Sequence, residues 1–139
     1  MAQTEDARMT LFGVSTDIAA LILRLALGSL FIIHGYPKLT SGRKQGEEWM
    51  KSMGLPAGLV GFAGFVEFFG GLGLVFGLLT PIIAALFTIW MVGTTWLATS
   101  KLKKKYMGGW ELDLTLLLVS LALASLGSGM VSLDHLLGF

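Results

Sequence analysis

Four long apolar runs, separated by short polar connections, set the pattern of this chain. They cover about residues 18–36, 57–79, 81–99 and 112–131. As helices, each is long enough to cross a hydrocarbon core of ~30 Å. The expected fold class is all-α, a four-helix transmembrane bundle, with residues 1–139 read as one domain by length. Residues 1–16 form a polar tail of mixed charge. The tail lacks the basic start, short apolar core and small-residue cleavage site of a signal peptide, so the first span is expected to be retained. Asp17 is placed to cap that span, and Pro37 to lie just past its end. In the connection that follows, Gln45 to Met53 reads either as a short interfacial helix with Trp49 and two methionines on its apolar side, or as an irregular loop. Leu55-Pro56 reads as a turn, and Thr80-Pro81 leaves almost no loop between spans two and three. Beyond the fourth span, Ser132 or Asp134 can cap a final turn.

The polar interruptions carry the candidate chemistry. Arg24 lies inside the first run, His34 near its end, and Glu67 near the centre of the second. A charged group at such depth is costly in lipid and faces protein or a water-filled cavity. Arg24 is therefore expected to pair with Glu67, serving either helix register or function. Arg24, Gly28, Phe31, Gly35 and Lys38 recur every three or four residues, a stripe that places the first span at the centre of the bundle. His34 and Lys38 end that span at the level where Glu111 and Asp113 open the fourth. These four groups suit a proton path or a mouth for a polar headgroup, although acids in the first turn of a helix also simply meet its dipole. On the second span, Gly61-Gly64-Gly71 and Gly70-Gly73-Gly77 give small faces that admit close helix approach. Trp90, Thr94, Thr95 and Trp96 on the third span are expected to serve packing and the interface.

Composition narrows the chemistry. More than half the residues are hydrophobic (54 %), too many for a soluble domain of 139 residues to bury. With no cysteine there is no disulfide, dithiol centre or thiolate metal site, and no metal centre is expected. The basic residues adjoin membrane spans, so the net charge of +1 points to no nucleic acid. Lys38, Arg43, Lys44, Lys51, Lys101, Lys103, Lys104 and Lys105 fall in the two long connections, against Arg8 alone on the other side. By the positive-inside rule this is a multi-pass cell-membrane protein with both long loops cytoplasmic and both termini outside.

The pattern Arg24…Gly28…His34-Gly35…Lys38, Leu55-Pro56, Glu67…Gly70-Gly71, Gly77, Pro81, Met91 and Glu111-Leu112 resembles the DoxX family of small four-helix membrane proteins. Gly127-Ser128-Gly129…Ser132-Leu133-Asp134 extends the likeness almost to the end of the chain. The resemblance implies a transmembrane bundle and a link to respiratory or sulfur-oxidising redox systems, since the related DoxD subunit belongs to a thiosulfate:quinone oxidoreductase. The expected function is thus a membrane subunit of a redox complex that binds or borders a quinone. Arg24, His34 and Lys38 would act as donors and Glu67 would exchange protons, with Glu111 and Asp113 as further candidates. No catalytic residue is assigned. The alternative is a non-catalytic assembly subunit whose glycine faces dock neighbouring helices, with other membrane subunits or further copies of the chain as partners. A third reading, a small transporter coupled through Glu67, is opposed by the absence of an inverted repeat. Bis-histidine haem is disfavoured because His34 and His135 fall at opposite ends of the bundle.

Overall fold

The computed structural model describes residues 15–139, and the expectations for the N-terminal tail, Arg8 included, lie outside them. Helix α1 (Thr16–Leu39) is followed by the short α2 (Arg43–Ser52) and then by α3 (Gly58–Phe76). Helix α4 (Thr80–Trp96) continues into a wider turn over Leu97–Lys101, where the Leu102 N–H donates to the Leu97 carbonyl at 3.0 Å. An irregular, kinked segment, Tyr106–Trp110, with Gly108 at φ 70°, leads into α5 (Glu111–Leu126), and α6 (Leu133–Leu137) closes the chain. The four long apolar helices make this a multi-pass membrane protein. Helix α2 resolves the choice between helix and loop, with Trp49 exposed on it.

Several boundaries differ from the sequence pattern for identifiable reasons. Ser15 caps α1 by accepting from the Ile18 N–H, which leaves Asp17 free to accept from the Met130 N–H at 3.0 Å. Pro37 sits within the last turn of α1 and does not end it. Its ring supplies no N–H for the Ile33 carbonyl, at the cost of one helical bond in the final turn, and the extra turn keeps Lys38 on the same face as Gly35. The fourth helix stops at Leu126, five residues earlier than the apolar run, because Gly127 and Gly129 take left-handed φ values of 87° and 76°.

Two helix pairs build the bundle. Helix α1 packs chiefly on α3, and α4 on α5, while α3 and α4 touch only sparsely. Glycine sets the α1–α3 contact. A Cβ on Gly28 would lie 2.7 Å from the Gly71 carbonyl oxygen, and one on Gly71 the same distance from that of Gly28. Gly35 abuts the backbone of Gly64 and Phe68 in the same way. Without a hydrophobic drive between helices in lipid, such backbone proximity supplies the packing that holds them. Of the predicted stripe, Arg24, Gly28, Phe31 and Gly35 are buried, while Lys38 is partly exposed. The glycines of α3 divide their work, Gly64 and Gly71 facing α1 while Gly70 rests on Phe87 and Gly73 on Ile83 of α4. Between the pairs, Phe31 stacks on Phe87 with ring centroids 3.8 Å apart, inside a core that includes Leu27, Leu74, Met91 and Leu123.

The end away from the basic loops is closed by the C-terminal segment. Arg24, 1 % exposed, donates to the carbonyls of Ser128 (3.0 Å) and Val131 (2.6 Å). Asp134 accepts from the Leu79 and Thr80 N–H groups and donates its own N–H to the Gly77 carbonyl. Ser132 caps α6, while Asp134 holds the α3–α4 turn. Gly77, with φ 69°, ends α3 where any side chain would run into the Arg24 guanidinium. The expected Arg24–Glu67 pair therefore does not form. Arg24 lies level with Gly77, ten residues and about 15 Å of helix rise from Glu67. The register imposed by the glycines decides this, since the depth of two charges in their own spans does not fix which turn faces which.

Candidate functional site

The same register brings a different pair together. A Cβ on Gly64 would touch the Lys38 Cβ, so Lys38 stands one helical turn below Glu67. Its Nζ donates to both carboxylate oxygens of Glu67, at 2.7 and 2.6 Å. Glu67 is 5 % exposed, whereas the Lys38 side chain is 36 % exposed. The carboxylate is the buried partner, and the lysine reaches in from the polar edge. Trp90 on α4 completes the group, its indole N–H pointing at Glu67 Oε1 across 3.3 Å.

These side chains line a cavity of about 500 Å³ where the two helix pairs diverge toward the basic end. Val60 and Ala63 form an apolar wall from α3, facing Thr94 of α4 and Ala98 of the wider turn that follows it. Helix α2 roofs it with Trp49 and Met50, seated by Gly46 packing directly on Val60. Asp113 and Lys104 stand at the polar end. An apolar chamber with a few convergent polar groups is the usual form of a small-molecule site. The turn at Leu97–Lys101 departs from regular α-helix beside this chamber, where irregular backbone is tolerated in a membrane protein.

Of the residues singled out from sequence, Lys38, Glu67 and Asp113 meet at this cavity. Arg24 does not, being fourteen residues and about 21 Å along α1 from Lys38. His34 is exposed on the outer surface of α1. Glu111 accepts from the Gly108 N–H at 2.8 Å, a local contact that organises the turn before α5. Trp90 was not expected as a site residue. Its place near the middle of an otherwise apolar span was the available signal, and tryptophan there reads equally well as packing. No group of three or more His, Cys, Asp or Glu side chains able to hold a metal occurs among the described residues.

Comparison with known proteins agrees with this architecture. The chain is 37 % identical over 120 residues to "Putative oxidoreductase CatD" of Bacillus subtilis (strain 168), covering 86 % of this chain and 87 % of that protein. It is 33 % identical over 126 residues to "Inner membrane protein YqjF" of Escherichia coli (strain K12), covering 87 % of this chain and 93 % of the relative. No solved structure matches it. The DoxX family model matches residues 19–100, a stretch that carries α1 to α4 and, with them, Lys38, Glu67 and Trp90. The chain belongs to the DoxX family.

Proposed function

We propose that the protein is a membrane subunit of a redox complex and that the cavity beside Lys38 and Glu67 receives a quinone headgroup. The observation that carries this reading is a carboxylate buried at the wall of an apolar chamber, held by an ammonium and an indole N–H. The name of the Bacillus relative, an oxidoreductase, points the same way. A quinone supplies a two-electron, two-proton acceptor, with electrons provided by a redox partner subunit. Lys38 has a further N–H to donate to a ring oxygen, and Glu67 accepts from a ring hydroxyl. Asp113 and Lys104 mark the route by which protons reach Glu67 from water.

Quinone extracted from the detergent-purified protein tests the reading. Native protein should carry it, and Glu67→Gln should lower affinity for the reduced quinol, whose ring hydroxyl donates to the carboxylate, tenfold or more, the effect of losing one hydrogen bond to a charged group at about 1.5 kcal/mol. Quinone-free native protein, with equal binding of added quinol by both forms, would overturn it. The charge bias of the loops supports a cavity mouth on the cytoplasmic side. A membrane-impermeant maleimide should then label Lys103→Cys in inverted vesicles and not in intact cells, and the reverse result would invert the topology.

The glycine faces that motivate the alternative of an assembly subunit are largely occupied within the chain, Gly61 excepted. Gly64 and Gly71 are covered by α1, and Gly70 and Gly73 by α4.

A further inference from the structure

The cavity has two kinds of rim. At its polar end the exposed lining residues are Trp49 and Lys104, while on its flank they are Leu59 of α3 and Gly93 of α4. These last two belong to the helices that touch only sparsely. Phe62 and Trp90 close the gap on one side, their rings 5.9 Å apart, and Leu59 and Gly93 lie beyond that contact toward the basic end. Gly93 makes no close packing, for a Cβ there would meet no atom within 4 Å. It thus differs from Gly70 and Gly73, whose missing side chains admit a neighbour. Gly93 stands about 12 Å of helix rise before Lys101, within the apolar part of the span. Phe65, Ile89 and Val92 on the surrounding surface are exposed and apolar, as lipid contact requires.

We infer that the gap between Leu59 and Gly93 is a lateral portal from the bilayer, and that the ligand of this site is an amphipathic lipid. Its headgroup meets Lys38 and Glu67, and its apolar tail leaves through the portal into the membrane. The absence of a side chain at Gly93 holds the portal open. For the identity of the headgroup the inference rests on the quinone reading, but the portal itself does not.

The chain contains no cysteine, so Thr94→Cys places a single thiol in the cavity wall. In proteoliposomes, a hexadecyl maleimide dissolved in the lipid should label this thiol. Adding Gly93→Phe should slow that labelling at least tenfold, while a small water-soluble maleimide entering from the polar end reacts at its former rate. Leu59→Trp, on the facing wall, should act in the same direction. An unchanged thermal melt of Gly93→Phe establishes that the fold is intact, as the open space around Gly93 predicts. Labelling by the lipid-borne reagent that ignores both substitutions, or labelling by the water-soluble reagent alone, would overturn the portal. Portal-dependent labelling in a protein that binds no quinone would leave the portal standing and remove the quinone.

Discussion

Gly71→Leu should strongly destabilise the folded bundle. The new Cβ would fall 2.7 Å from the Gly28 carbonyl oxygen and 2.9 Å from the Ile32 amide nitrogen, and neither backbone atom can move without separating α1 from α3. Overpacking a well-fitted core costs about 1–3 kcal/mol where side chains can adjust. Here only a helix can move, so the cost reaches the top of that range or exceeds it. Separation would also strip Lys38 from Glu67 and open the Arg24 contacts at the other end, because one register sets all three. The same change at Gly93 meets open space, so Gly93→Leu should fold normally. Unfolding of both variants in mixed dodecylmaltoside–SDS micelles reads the contrast directly. Equal stability would mean that α1 and α3 are not held by their glycines.

The number of spans and the class of fold were legible in the sequence, because hydropathy over some twenty residues is a strong and local signal. So was the buried stripe of α1, where residues three and four apart carry every non-aliphatic side chain that the bundle interior needs. The pairing of charges was not. Arg24 and Glu67 looked complementary by depth, yet depth within a span is one coordinate and helix register is another. Only the contacts of Gly28 with Gly71 and of Gly35 with Gly64 supply the second. The polar C-terminal tail also concealed its role, since a hydropathy plot records Ser128 and Val131 as the end of a span and not as acceptors for a guanidinium. Trp90 was overlooked for the converse reason. An indole is amphipathic, and its sequence context says nothing about whether its N–H meets a carboxylate.

Lys38→Met should destabilise the protein more than Glu67→Gln does. Breaking a buried ion pair by removing one partner costs about 3–5 kcal/mol, because the other charge is left unanswered. The two partners are unequal here. After Glu67→Gln, the partly exposed Lys38 can turn its ammonium toward the polar edge, so the loss should be small. After Lys38→Met, Glu67 remains buried at the cavity wall with only the Trp90 N–H beside it, and the loss should approach about 3 kcal/mol, the lower end of that range. Restoring neutrality with the double change should recover most of this, since a neutral pair of similar volume is often as stable as the ion pair it replaces. Recovery of stability without recovery of quinone binding would separate the structural part of the pair from its chemical part.

The unfolding free energies of the native protein, Lys38→Met, Glu67→Gln and the doubly substituted protein form one thermodynamic cycle. Direct contact between the two side chains requires the double variant to be more stable than Lys38→Met alone, with a coupling of about 1.5 kcal/mol or more, within the range of residues that touch. Losses that simply add would show that Lys38 and Glu67 do not meet, and would remove the charged wall from the cavity.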